Sequence, residues 1–253
     1  MIDYHIHSIY SFDGKSPLSA YVGTAQRCGL LEIGFAEHVD LDSTFKEYNF
    51  LNFPLYKEAV GELKENAPIP VRCGLEVSYQ QHLEGQIKEY LQAADCDFVI
   101  GSVHEVDGVT MDHRFFEQFN PLQYFRTVEA LITSESCDIV GHLEYFKRWG
   151  GSYTSSAYKN EISALLQLLI EKDMVLEVNT SGLRHAAQDT YPSLEVVQWY
   201  RELGGELISL GSDAHTVKDT AFQFSPVLRK LKSLGFDSIT AFEKRARESV
   251  SLV

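Results

Sequence analysis

The chain opens with MIDYHIHS (residues 1–8), an apolar run that carries histidines at positions 5 and 7. Residues two apart on an extended strand point to the same side of it. His5 and His7 therefore project together, either into water from an edge strand or into a shared cavity. The pair alone does not decide between these. What decides is whether other polar side chains converge on it, and that depends on how the rest of the chain is wound.

Six further strand-like runs follow: LEIGFA (31–36), PVRCGLEV (70–77), DFVIGSV (97–103), DIVGHL (138–143), MVLEVN (174–179) and ELISLGS (206–212). The segments between them read as helices. Ile162, Leu165, Leu166 and Leu169 fall at the i, i+3, i+4, i+7 spacing of one buried face. Pro121 after Asn120, and Pro192 just before Ser193, suit the first turn of a helix. Seven strands alternating with helices favour a parallel sheet, open or closed into a barrel. No second composition regime and no fixed-period repeat divides the chain, so the expectation is one α/β domain over residues 1–253. The longest irregular connection, about Glu105 to Asn120, is a candidate lid over the strand ends.

Composition narrows the function. With 253 residues, 44% of them hydrophobic, the chain can bury one large core. No apolar run is long enough to span a bilayer and the N-terminus lacks a secretory pattern, which places the protein in the cytoplasm with no membrane partner. The formal charge of −14, from 36 acidic and 22 basic side chains, argues against nucleic acid as a partner, since that binding rests largely on basic side chains displacing counterions. Cys28, Cys73, Cys96 and Cys137 are scattered and sit beside apolar or small residues, as buried free thiols do.

The histidines and carboxylates recur at one place in each βα unit. His5 and His7 close the first strand, His38 follows the second, Glu76 ends the third, His104 the fourth and His142 the fifth, while Asp213 and His215 follow the seventh. In a parallel barrel all these strand ends meet on one face, where active sites are built. Six histidines and two acids packed into one mouth would be strongly unfavourable without a cation. Imidazole and carboxylate without cysteine suit Zn, Mn or Fe, and an acid such as Glu76 can bridge two ions. Eight ligands exceed the need of one tetrahedral ion, so at least two metals are expected, with three favoured. His82 reads as a surface residue. His113, in the lid segment, and His185, after the sixth strand, are candidates for touching substrate.

These residues resemble the PHP (polymerase and histidinol phosphatase) family. The matching pieces run nearly end to end: DYHIHSIYSFDGKSP, GFAEHVD, GLEVS, GSVH, VGHLE, LEVNTSGLR and GSDAH, with LKSLGFDSITAFEKR similar to the family's terminal helices. The resemblance implies a distorted (β/α)7 barrel and three metals. His5, His7, Glu76 and Asp213 would hold the first, Glu76, His104 and His142 the second, and Asp13, His38 and His215 the third. Asp13 enters only through this resemblance.

Within the family, AEH after the second strand and LEVNTSGLR are most similar to histidinol-phosphate phosphatases, which implies metal-dependent hydrolysis of L-histidinol phosphate in histidine biosynthesis. Arg184 would then stand at the mouth, where a guanidinium can clamp a phosphate through two parallel hydrogen bonds. Asp213 or His215 could protonate the leaving alcohol, and Glu37 with lid residues could line the pocket for the histidinol cation. Two other readings remain: a family phosphoesterase acting on a nucleotide, sugar phosphate or phosphotyrosine, and a non-catalytic metal-binding domain. Clustered divalent ions favour catalysis, because they supply both nucleophile activation and charge stabilisation for a very slow hydrolysis.

Overall fold

A computed structural model of the chain describes residues 1–112 and 120–252. Seven parallel strands form one sheet in the order β1 (Ile2–Asp3), β2 (Glu32–Val39), β3 (Val71–Ser78), β4 (Phe98–Ser102), β7 (Ile139–Val140), β8 (Val175–Asn179) and β9 (Ile208–Gly211). A hairpin of β5 (Glu105–Val106) and β6 (Val109–Thr110) interrupts the series after β4. The sheet nearly closes on itself. Beyond β1 and β9 the chain makes one parallel bridge, Ile6 to Ala214, and the His7 amide donates to the Ala214 carbonyl at 2.9 Å. The expected seven-stranded barrel is present, with a first strand much shorter than the apolar run IDYHIH suggested.

Helices cover the outside: α1 (Leu18–Arg27), α2 (Phe53–Asn66), α3 (Glu84–Ala93), α4 (Pro121–Ser134), α5 (Lys159–Glu171), α6 (Leu194–Glu202) and α7 (Phe224–Ser233). α4 begins as expected, with Pro121 at its first position and the Asn120 side chain accepting from the Leu122 amide. Pro192 lies one step earlier than expected. Ser193 is the cap of α6, accepting from the Val196 amide, so the proline precedes the helix. The Ile162, Leu165, Leu166 and Leu169 face of α5 is buried. No helix among the described residues is long and apolar enough to cross a membrane.

The barrel interior below the strand ends is filled by aromatic rings. Tyr4 and Phe98 stack with centroids 4.6 Å apart, and Phe242 packs beside both. Gly74 makes this possible, since a Cβ there would overlap the Phe98 ring. Phe242 belongs to a C-terminal hairpin of β10 (Ser238–Glu243) and β11 (Ala246–Ser251), which closes the end of the barrel opposite the strand C-termini. The segment FDSITAFEKR is thus a hairpin, where a terminal helix was expected. Ile239, Ala241 and Phe242 are buried, and the two-residue turn is Lys244–Arg245, both with positive φ. Such a turn usually carries Asn or Gly, so these residues hid it.

Charges fasten the hairpin: Arg245 Nε lies 2.5 Å from Asp138 and Arg72 joins Glu32 and Glu243. Cys73, Cys96 and Cys137 are buried free thiols, whereas Cys28, at the end of α1, is exposed and corrects the expectation of four buried ones. His82 lies on the surface as expected, 63% of its side chain exposed.

Candidate metal centre

Parallel winding brings the strand ends together, and Glu76 stands at the centre of what meets there. His38 and Glu76 are direct register partners on β2 and β3. One Glu76 oxygen lies 2.9 Å from His142 Nε2 and 3.5 Å from His104 Nε2, and accepts from Ser102 Oγ at 2.6 Å. The other lies 3.3 Å from His5 Nε2, 3.5 Å from His7 Nε2 and 3.0 Å from His38 Nδ1. Asp213 approaches from β9, its Oδ1 at 3.4 Å from His7 Nε2, 3.9 Å from His5 Nε2 and 3.5 Å from His215 Nδ1. Asp13 lies 2.9 Å from His215 Nε2 and 3.5 Å from His38 Nε2. All nine residues expected as ligands are therefore gathered in one cluster. Three groups have donor atoms close enough to share an ion: His5, His7 and Glu76; Glu76, His104 and His142; and His7, His38 and His215.

The donor set fits cations. His5 Nε2, His7 Nε2, Glu76 Oε2 and Asp13 Oδ1 are buried and have no hydrogen-bond partner. A buried polar atom left unsatisfied costs about 1–3 kcal/mol, so several in one cluster mark places where a further partner belongs. Imidazole nitrogen and carboxylate oxygen, without thiolate, suit zinc-like divalent ions.

Electrostatics point the same way. Burial disfavours the Glu76 carboxylate, but His5, His38 and His104 around it hold its pKa well below the usual range. Burial also opposes charge on His38, yet Glu76 and Asp13 outweigh it and raise the ring to about 10. His7 goes the other way, down to about 3, through burial and the neighbouring His38 and His215. A cluster that drives adjacent groups in opposite directions is typical of functional sites.

The pocket above the cluster is lined by a cation as well as by acids. Arg148 has its guanidinium 5.7 Å over the Tyr145 ring and 5.8 Å over Trp149, with no carboxylate partner among the described residues. Asp40 and Glu105 line the same pocket, neither paired to a lysine or arginine among the described residues. Burial raises the pKa of both acids. Glu105 also accepts from Ser78 Oγ at 2.6 Å. These three residues were missed in the sequence. The signal available for Asp40 was its i, i+2 spacing from His38, and for Glu105 its place directly after His104. Arg148 follows β7 in a short 3-10 helix, Tyr145–Trp149, where no periodicity flags it.

The expected substrate residues fare unevenly. Glu37 does not face the pocket: it follows the strand alternation away from His38, is fully buried, and accepts from Ser8 Oγ and Ser11 Oγ, both at 2.5 Å, and from the Ser8 amide. It secures the β1–α1 loop that carries Asp13. Arg184 donates to the Ser212 and Asp213 carbonyls, both at 3.0 Å, beneath the left-handed backbone of Asp213 (φ 51°). His185 is half-buried, and burial together with Arg148 and Arg184 lowers its pKa to about 4. His113 lies outside the described residues. The lid segment shows its β5–β6 hairpin, turned at Asp107–Gly108, as far as they extend.

Comparison with known proteins matches this picture. The PHP domain profile matches residues 3–181. The histidinol-phosphatase of Lactococcus lactis subsp. lactis is 28% identical over 255 residues, covering 95% of this chain and 94% of that protein. A Clostridium acetobutylicum protein named "Probable histidinol-phosphatase" is 24% identical, covering 97% of this chain and 98% of its own length. The crystal structure of the Lactococcus lactis histidinol phosphate phosphatase complexed with Zn, L-histidinol and phosphate superposes with a TM-score of 0.86 at 27% identity, over 98% of each chain.

Proposed function

This chain belongs to the PHP domain family, and from that premise we propose that it is a metal-dependent phosphatase that hydrolyses L-histidinol phosphate to L-histidinol and phosphate. The observation that carries this reading is a pocket over the metal-ligating cluster whose lining includes both Arg148 and the acids Asp40 and Glu105. The substrate has the same polarity, with a phosphate dianion at one end and an ammonium and imidazole at the other. Two to three divalent ions would be held by His5, His7, Glu76 and Asp213, by Glu76, His104 and His142, and by Asp13, His38 and His215. Zinc in the Lactococcus lactis structure supports that identity, with manganese and iron suited to the same donors. When bound, such ions polarise the phosphoryl oxygens and acidify a water for attack.

The chain's own residues do the rest. Arg148 meets the phosphoryl group with its planar fork of N–H donors. Arg184 holds the Asp213 backbone in its left-handed turn, and so sets where that carboxylate points. Asp213 and His215 stand side by side at 3.5 Å, and either can take up the proton released by the attacking water and pass it to the leaving alkoxide. Asp40 and Glu105 face the cationic end of the substrate and orient it.

That last assignment separates a histidinol phosphatase from a broad phosphoesterase of the same family. Glu105→Gln should raise KM for L-histidinol phosphate by tenfold or more and leave kcat/KM for an aryl phosphate without a cationic group within about twofold, because a buried site loses most when a charged hydrogen-bond partner goes unmatched. Equal losses on both substrates would remove Glu105 from cation recognition.

A further inference from the structure

Resting on the metal reading above, we propose that Glu177 is a positioning residue that fixes which nitrogen of His5 carries the proton and, with the same carboxylate, seats the backbone of His142. Glu177 lies inside β8 and is 1% exposed. Its Oε1 lies 2.6 Å from His5 Nδ1. Its Oε2 accepts from the His142 amide at 2.6 Å and from Asn179 Nδ2 at 3.2 Å. No lysine or arginine pairs with it among the described residues. A charge placed there without a cation is costly unless its hydrogen bonds are worth the burial.

The donors dictate the arrangement. A backbone N–H and an amide NH2 can only donate, so Oε2 is pinned as an acceptor. Oε1 is then the acceptor for His5, and the proton rests on Nδ1. That leaves the Nε2 lone pair facing the ligand cluster, 3.3 Å from Glu76 Oε2, on an atom that is buried and has no hydrogen-bond partner. One acid thereby orients a ligand from the first strand unit and the main chain of a ligand from the fifth. The space is reserved by Gly211: a Cβ there would collide with Glu177 Oε1 and with the His5 Cβ.

Glu177→Gln tests this because it preserves shape and removes one acceptor. The two donors at the Oε2 position hold the amide oxygen there, which turns the amide NH2 towards His5 Nδ1. His5 must then accept at Nδ1 and carry its proton on Nε2, aimed at the ion. Zinc binding to metal-stripped protein, followed by competition with a chelating dye, should show one high-affinity site weakened 10- to 100-fold, the range seen when an outer partner of a metal ligand is lost. Far-UV circular dichroism of the metal-free variant should match metal-free wild type.

Unchanged zinc stoichiometry and affinity in the variant would overturn the proposal, as would a loss of metal-free stability with zinc affinity intact, which marks a purely structural acid. Should glutamine not fold, the shorter pair Glu177→Asp and Glu177→Asn gives the same comparison, since the amide again loses the charge and puts an NH2 donor in place of one acceptor. Aspartate should retain zinc better, and equal retention would overturn the role. Wild-type protein that binds no zinc would instead sink the metal reading itself.

Discussion

Glu76→Gln should reduce kcat/KM on L-histidinol phosphate by about 10³ or more and lower the metal content of the purified protein. The expected size follows from position. Both Glu76 oxygens face ligand histidines: His104 and His142 on one, His5, His7 and His38 on the other. An amide keeps the shape but loses the charge and places NH2 donors against imidazole nitrogens that should face a cation. Two ion positions are weakened by one substitution. Bound ions contribute several kcal/mol of charge stabilisation, and each 1.36 kcal/mol is tenfold in rate. Elemental analysis beside steady-state kinetics checks both halves, and near-native values in both would show that Glu76 is not a shared ligand.

Arg148→Ala should lower kcat/KM by roughly 10²–10³ and leave metal content unchanged, the scale of losing one preorganised charge-stabilising contact. Arg148 is held by stacking on Tyr145 and Trp149, with no carboxylate of its own among the described residues, so its charge is available to a ligand. Arg148→Lys should recover part of the loss, because a point charge lacks the planar fork. Arg184→Ala makes the informative contrast. Two of its N–H groups are committed to the Ser212 and Asp213 carbonyls, so its removal should loosen metal retention at Asp213, whereas a direct phosphoryl contact would register in kinetics alone.

The ligand set was legible in the sequence for a geometric reason. In parallel βα units the C-terminal strand ends share one face, so His38, Glu76, His104, His142, Asp213 and His215 could be placed together without any distance being known. Asp13 lies in the β1–α1 loop and was visible only through the family resemblance. Glu37 and His38 show the limit of such reading: adjacent residues on one strand face opposite ways, and the acid beside a ligand turned out to buttress a loop.

Arg148, Asp40 and Glu105 escaped because charged residues just beyond strand ends are common and their neighbours are set by tertiary packing. Glu177 carried a signal that went unread. A lone acid within the apolar run MVLEVN cannot stay buried without donors, so its presence already announced a polar network behind the strand. The C-terminal hairpin was hidden by a Lys–Arg turn in place of the usual Asn–Gly.

The proposed activity requires one pocket to hold both the phosphate and the cationic end of the substrate above divalent ions. Its most direct test is kcat/KM for phosphate release from L-histidinol phosphate, measured beside an aryl phosphate, a sugar phosphate and a mononucleotide on the same metal-replete protein. A preference for L-histidinol phosphate of several orders of magnitude is expected, lost on chelation and restored by zinc or manganese. Comparable rates on all four esters would contradict it.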